Sequence, residues 1–393
     1  MSKALVAGVG MIPFAKPGKS ESYDVMGAAA AVAALKDANI AYSEIQQAYA
    51  GYIYADSTAG QAALYNVGVT GIPIVNVNNN CASGSTALFL ARQAVESGAA
   101  DVVLALGFDQ MVPGALGWVF NDRKEILQRH SDLTKSLQNW DDTAPMAAQY
   151  FGGAGAEYQR KHGAETATFA MIAEKARKHA ANNPFALFRN PLTVQEILQS
   201  PHLYGPLTRY QACPPTCGAA AAVLVSRKYA QRKGLTGLVE IASQAMATDV
   251  PSSFDENSMI KLIGFDMAKR AAKEAYETAG LGPDDMQVVE LHDCFTANEL
   301  LSYEALGLTE EGTAERFIHD GDNTYGGKYV VNPSGGLLSK GHPLGATGLA
   351  QCYELVNQLR GTAEARQVEN VHHALQHNLG LGGACVVTIY RHA

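Results

Sequence analysis

The sequence of 393 residues is 47% hydrophobic and 17% charged, with a formal net charge of −8. That length exceeds one ordinary core and requires two similar units or a large α/β domain with insertions, and the composition excludes a disordered chain. The acidic balance argues against nucleic acid as a partner, and no apolar run approaches the roughly twenty residues that span a bilayer.

The opening ALVAGVG at 4–10 is too short for a signal peptide and reads as a first strand. Its Gly8-Val9-Gly10 invites a dinucleotide loop, but the third Gly of that motif would fall at Pro13 and the reading fails. Residues 23–51, YDVMGAAAAVAALKDANIAYSEIQQAYAG, predict a helix, a turn and a strand. In NNNCASGSTAL at 78–88, Cys81 stands at the mouth of an apolar helix, where the dipole favours thiolate.

Residues 121–235 carry a local charge of +6 against −14 for the remainder, which suits a small polyanionic ligand such as nucleotide phosphates. Within that stretch, 120–217 is polar, rich in Pro and Gly, and contains the helical TATFAMIAEKARKHAANN. It predicts an inserted, mainly helical lobe over the site. Cys213 and Cys217 flank two prolines, but a CxxxC pair without a second pair makes a poor zinc site.

The remainder repeats the beginning. FDMAKRAAKEAYETAGLGPDDMQVVELHD at 265–293 parallels 23–51, HPLGATGLAQCYELVNQLRG at 342–361 parallels 81–98, and GGACVVTIYRHA at 382–393 parallels GAAAAVLVSRKYA at 218–230. The second match sets His342 opposite Cys81, Gly345 opposite Gly84 and Leu349 opposite Leu88. The alternation predicts a layered α/β fold of two halves related by a pseudo-twofold axis, each running strand, helix, strand, turn, helix, strand. Its units are 1–119 with 218–235, the insert 120–217, and 236–393. Cys81 and His342 then face one pocket. Cys352 on a helix and Cys385 on a strand read as buried hydrophobes. His372, His373 and His377 make a poor ligand set, since neighbours in an extended segment point to opposite faces. Six cysteines, two of them in turns, indicate reduced thiols, and the cytoplasm is the expected compartment.

The sequence resembles the thiolases along its whole length, and within them the sterol-carrier-protein type. The resemblance rests on NNNCASGS, HDCF at 292–295, GHPLGATG at 341–348 and QHNLGLGGA at 376–384. Conventional thiolases carry NEAF where this chain has HDCF, and a second catalytic cysteine in a CxG motif where it has Asn378, Leu379 and Gly380. The resemblance therefore implies that the second cysteine has moved to Cys294, and it implies the thiolase fold, an α/β architecture of two βαβαβαββ halves in α/β/α/β/α layers with an inserted, mainly helical loop domain. Cys217 replaces an acidic residue of the family, with no expected effect on the chemistry. The end at residue 393 implies no fused sterol-carrier domain.

The implied activity is thiolytic cleavage of 3-ketoacyl-CoA to acetyl-CoA or propionyl-CoA and a shortened acyl-CoA, reversible as a Claisen condensation, in fatty acid or sterol side-chain metabolism. The implied roles are Cys81 as nucleophile, His342 as its base, Cys294 as acid/base for the carbon leaving group, and His292 as an aid to the oxyanion site. Backbone N–H groups of Cys81 and Gly380 form the second oxyanion hole, supported by Asn378 and Gly382. CoA is a co-substrate, no metal or permanent cofactor is expected, and the family's assemblies imply a homodimer or homotetramer. The rival readings are a ketosynthase, a thiolase-like aldolase, and a non-catalytic acyl-CoA or lipid binding protein.

Overall fold

The computed structural model describes residues 3–113 and 122–393. Strand β1 (Leu5–Met11) is buried throughout, and its glycines let helix α1 (Tyr23–Ala38) lie directly on it. A methyl group on Gly8 would collide with the Ala34 carbonyl, and one on Gly10 with the Ala30 carbonyl. The Gly-x-Gly pair and the alanine run of α1 are thus one packing device, which is the physical reason they resemble a nucleotide loop without being one.

The first half continues through β2 (Gln47–Gly51), α2 (Ala59–Tyr65), β3 (Ile74–Val77), α3 (Ser83–Glu96) and β4 (Val102–Asp109). Helices α4 (Gln128–Leu137), α5 (Met146–His162) and α6 (Thr166–Ala180) intervene before strand β5 (Gly218–Val225). The same order returns as β6 (Val239–Ala247), α7 (Phe265–Ala279), β7 (Val288–Glu290), α8 (Thr296–Ala305), β8 (Val330–Val331), α9 (Leu344–Arg360), β9 (His373–Gly380) and β10 (Ala384–His392). Both halves run βαβαβαββ. The expected boundary between residues 119 and 120 lies outside the described residues.

The strands hydrogen-bond in the order β8-β7-β9-β10-β6-β1-β5-β4-β2-β3. Adding five to each label of one half reproduces the other, so a pseudo-twofold passes between β1 and β6. These two strands pair only at Leu5↔Glu240 and Val6↔Val239. Helices α1 and α2 cover the outer face of the first half, packing on Leu104 and Leu106. Helices α7 and α8 cover the outer face of the second. Between the halves, α3 and α9 share a core with Val9, Val103, Leu224, Ala374 and Tyr390. The result is the α/β/α/β/α stack that the resemblance implies.

The two central helices cross where neither can carry a side chain. A methyl group on Gly84 of α3 would collide with the Gly345 carbonyl of α9, and one on Gly345 would come to 2.5 Å from the Gly51 carbonyl and 2.6 Å from that of Phe108. This contact fixes the two helix N-termini side by side. The insert meets the second half through Phe151 of α5, stacked on Phe295 just ahead of α8 with ring centroids 5.1 Å apart, and through a buried ion pair of Lys175 on α6 with Glu299 on α8. Among the described residues, no helix is long and apolar enough to cross a membrane.

Candidate active site

Three helices begin at one place. Cys81, Cys294 and His342 each lie two residues ahead of the first residue of α3, α8 and α9. Each helix start carries unpaired N–H groups and a partial positive charge, so the point where they meet favours negative charge.

The turn before α3 is held by its own asparagines. Asn80 has φ of +50°, a left-handed conformation that Asn tolerates better than most residues, and its Nδ2 donates to the Leu381 carbonyl at 2.9 Å. The Asn79 N–H donates to Ser83 Oγ at 2.9 Å, and that hydroxyl donates to the Asn80 carbonyl at 2.6 Å. Gly380 packs against this turn so tightly that a methyl group there would collide with the Asn79 carbonyl. Gly382 and Gly383 follow with φ of +98° and +103°, a region that glycine alone enters freely. The backbone N–H groups that face the Cys81 sulfur are those of Cys81 itself and Leu381.

A ring nitrogen of His342, a ring nitrogen of His292 and the Cys81 sulfur all lie within 4.8 Å of one another. The state of His342 follows from its partners. Its Nδ1 is 2.6 Å from Thr347 Oγ1, and that hydroxyl spends its one hydrogen on the Pro343 carbonyl at 2.9 Å. Nδ1 must therefore carry the proton and donate, which leaves Nε2 with a bare lone pair. Nε2 is buried and has no hydrogen-bond partner among the described residues. It is a base without a proton, beside a thiol.

His292 is set the opposite way, by a buried chain across three elements. Asn378 Nδ2 donates to the Cys81 carbonyl at 3.1 Å, which fixes the orientation of the amide, and its second hydrogen goes to His292 Nδ1, also at 3.1 Å. Nδ1 is the acceptor, so His292 bears its proton on Nε2 and is a donor. Asn378 Oδ1 accepts from Ser85 Oγ at 2.8 Å; Ser85 accepts from Gln376 Nε2 at 2.9 Å; Gln376 Oε1 accepts from Tyr390 at 2.5 Å. The Gly348 carbonyl, 2.7 Å from Gln376 Nε2, fixes that amide as well. The two histidines, with centroids 5.0 Å apart and planes at 84°, thus offer one acceptor and one donor. A cation bound by Cys81, His292 and His342 would need both rings bare on the inner side, which the Asn378 contact opposes.

Each residue of HDCF has a distinct task. The His292 carbonyl accepts from Asn298 at 2.5 Å. Asp293 accepts from the backbone N–H groups of Leu337 (2.7 Å) and Leu338 (3.3 Å), holding the segment that leads to His342. Phe295 packs under the insert, and Cys294 is buried near Cys81 and Cys213, whose charges would each oppose its ionisation. The strap from Cys213 to Cys217 joins the turns that carry Cys294 and His342. Cys213 N–H donates to the Cys294 carbonyl at 2.9 Å, His342 N–H to Thr216 Oγ1 at 3.2 Å, and Cys217 bonds back to Ala15 at 2.8 Å.

Burial dominates the electrostatics and corrects one expectation. Although part of Cys81 remains exposed, its sulfur is enclosed by protein, and burial, aided by the Asp109 carboxylate, pushes the thiol up to about 12. Burial likewise raises Cys294 far above the usual thiol range. It holds His342 down to about 3, and His292 well below its usual range with the help of His342 and His377. The resting pair is thiol and neutral imidazole, not thiolate and imidazolium; desolvation outweighs the helix dipole that sequence reasoning relied on. Asp109, buried and raised to about 6, accepts from the N–H groups of Ile53 (2.9 Å), Tyr54 (2.8 Å) and Gly345 (2.5 Å), and so ties the start of α9 to the first half.

Cys81, His292, His342 and Cys294 come together, with Asn378 directly behind them and Gly380 and Gly382 in the adjoining loop. Asp109 carried no local sequence signal, Thr347, Ser85 and Gln376 stood in the quoted motifs without a role assigned to them, and Cys213 was weighed only as a metal ligand. His377, set aside with His372 and His373, accepts the His292 N–H at 3.4 Å, while His372 is exposed. Cys352 and Cys385 are fully buried, one on a helix and one on a strand.

Comparison with known proteins agrees with this architecture. The thiolase N-terminal domain model matches residues 4–228 and the thiolase C-terminal domain-like model residues 252–391. Sterol carrier protein 2 of Rattus norvegicus is 52% identical over all of this chain and 72% of its own length. The benzoylsuccinyl-CoA thiolase subunit BbsB of Thauera aromatica is 36% identical over all of this chain and 97% of its own. Among solved structures, the Ltp2–ChsH2(DUF35) aldolase superposes with a TM-score of 0.84 at 25% identity, over 99% of this chain and 97% of that one. The chain belongs to the thiolase family.

Proposed function

We propose that the protein cleaves 3-ketoacyl-CoA thioesters by CoA-dependent thiolysis, reversibly, through an acyl-Cys81 intermediate. The observation that carries this reading is the bare Nε2 of His342 beside the Cys81 thiol. Nε2 takes the thiol proton as sulfur adds to the keto carbon, and the oxyanion so formed takes N–H bonds from Cys81 and from Leu381, the residue after the expected Gly380. The C2–C3 bond then breaks with its electrons passing to C2. The enolate oxygen of the leaving acetyl-CoA or propionyl-CoA accepts from His292 Nε2, and Cys294 delivers its proton to C2. The Cys294 thiolate next deprotonates CoA, whose sulfur attacks acyl-Cys81, and His342 returns its proton to the expelled Cys81 sulfur.

A thiol whose ionisation is opposed by burial suits the Cys294 role, because a strong base is needed to take a proton from carbon in the condensing direction. A retro-aldol enzyme would have no use for a nucleophilic thiol paired with an unprotonated imidazole nitrogen, which is why thiolysis is preferred despite the aldolase likeness. The three proposed units are 1–119 with 218–235, the CoA-holding insert 120–217, and 236–393. Fatty acid or sterol side-chain breakdown in the cytoplasm is the proposed setting. A homodimer or homotetramer is supported by strand β3, which forms a sheet edge and leaves Val75 exposed, with Tyr65 and Val69 exposed just before it.

The test is thiolysis of acetoacetyl-CoA and a longer 3-ketoacyl-CoA, with mass detection of acylated protein. The parent should cleave both; Cys81→Ala should lose acylation and turnover, and Cys294→Ala should lose turnover. A parent that binds these thioesters yet never acylates Cys81 would refute the reading.

A further inference from the structure

Cys213 is a thiol that the proposed reaction does not use, and its backbone is paired with that of Cys294. Ala212 and Phe295 form an antiparallel bridge, and the Cys213 N–H donates to the Cys294 carbonyl at 2.9 Å. The register of that bridge sets Cys213 opposite Cys294. Residues opposite one another in an antiparallel pair send their side chains to the same face, with Cα atoms about 5.5 Å apart. Cysteines joined by a disulfide have Cα atoms roughly 4.4–6.8 Å apart, so a bond between these two asks little of the backbone. Both are free thiols, Cys294 buried and Cys213 half-buried. After burial itself, the charge that most opposes Cys294 ionisation is that of Cys213, ahead of Cys81 and Asp293. Such opposition weakens with distance, which makes Cys213 the closer of the two thiols to Cys294.

Peroxide attacks thiolate and leaves thiol almost untouched. Burial keeps Cys213 and Cys294 protonated at rest, so the resting site is protected. Thiolysis lifts that protection at one point of its cycle. Once Cys294 has given its proton to C2 it is a thiolate, Cys81 is acylated and His342 is protonated, and this state lasts until CoA enters.

We propose that Cys213 and Cys294 form an oxidation site that closes when the acyl-enzyme, stalled for want of CoA, meets hydrogen peroxide; the proposal rests on the thiolysis reading above. The Cys294 thiolate attacks a peroxide oxygen, the O–O bond breaks, and the departing hydroxide takes the His342 proton and leaves as water. The Cys213 sulfur then attacks the Cys294 sulfenic acid, the S–S bond forms, and a second water leaves with the Cys213 proton. The two sulfurs lose two electrons and one peroxide gains them. The disulfide halts turnover, yet holds Cys294 short of the sulfinic acid, which thiols cannot reduce.

The test treats the full chain with hydrogen peroxide alone, with acetoacetyl-CoA added, or with acetoacetyl-CoA and excess CoA, and ends each reaction with catalase. Thiolysis is measured before and after dithiothreitol, and peptides of the N-ethylmaleimide-blocked protein are read by mass. Acetoacetyl-CoA should speed inactivation at least about ten-fold over the resting protein, since the thiolate is the reactive form. Excess CoA should bring the rate back to that of the resting protein. Dithiothreitol should restore most of the activity, and peptides joined through Cys213 and Cys294 should accumulate in step with the loss. In Cys213→Ala and Cys213→Ser, each compared with its own untreated activity, the loss should become irreversible and Cys294 should gain two oxygens. A bond through Cys81 instead of Cys213, equal recovery in parent and variants, or inactivation indifferent to acetoacetyl-CoA would overturn the proposal. The untreated samples also report cleavage. Its absence would sink thiolysis and the proposal together, whereas cleavage without a Cys213–Cys294 bond would sink the proposal alone.

Discussion

Replacing Thr347 by Val should slow acylation of Cys81 without disturbing the fold. Val keeps the shape of the side chain and its place on α9 but removes the oxygen that lies 2.6 Å from His342 Nδ1. The imidazole is buried, so its Nδ1–H would be left without an acceptor, at a cost of about 1–3 kcal/mol. The ring can relieve that cost by moving its proton to Nε2 or by turning, and either change removes the base from the sulfur. A penalty of that size corresponds to roughly five- to 150-fold in rate. The assay is a single-turnover measurement of Cys81 acylation by acetyl-CoA, read by mass, with Thr347→Ser as the control that restores the hydroxyl. Acylation should fall in the Val variant and largely recover in the Ser variant. An unchanged rate in Thr347→Val, or equal losses in both, would refute the account of His342 as a base oriented by Thr347.

Asn378→Asp should present a carboxylate to His292 Nδ1 and draw the proton there, turning Nε2 from donor to acceptor. Losing one oxyanion donor predicts a fall in kcat of about 100- to 1,000-fold, with KM little changed in steady-state thiolysis. Asp109 has a folded-state pKa raised to about 6. Its contribution to stability is therefore fully present below the unfolded value near 4 and is lost as pH rises through about 6. The Tm of the parent minus that of Asp109→Asn should fall between pH 4 and 6 and level off above 7, and a flat difference would contradict it. The same variant removes the charge that opposes Cys81 ionisation, so alkylation of Cys81 by iodoacetamide at pH 8 should be faster. Gly345→Ala places a methyl group 2.5–2.7 Å from the backbone of Gly51, Phe108 and Tyr52, and should cost about 3 kcal/mol or more in urea unfolding.

The layers and the pairing of Cys81 with His342 were legible because the chain repeats. Aligning Gly84 with Gly345 in sequence finds the two glycines that touch in space, and Cys81 and His342 stand at the starts of the helices those glycines bring together. The chain from Tyr390 to His292 was invisible because its members come from α3, β9 and β10 and share no spacing. Cys213 and Cys217 looked like a possible metal pair through proximity in sequence, yet the first lies beside Cys294 and the second bonds the Met111 carbonyl at 3.3 Å. The protonation of Cys81 was misjudged for a different reason. A helix start can be recognised from its residues, whereas the depth of a sulfur in the protein is a property of the whole fold.

The meeting of three helix starts has a consequence for how this site behaves across conditions. The positive potential there comes from peptide groups, which neither gain nor lose protons and cannot be deleted by changing a side chain. Stabilisation of the transient oxyanions by this field should therefore persist from acid to alkali. The pH limits of the proposed thiolysis are then set by cysteine, histidine and aspartate titration. A scan of single substitutions would leave this part of the catalytic apparatus untouched, and only changes that shift a helix by its whole length, as at the glycine crossing, would expose it.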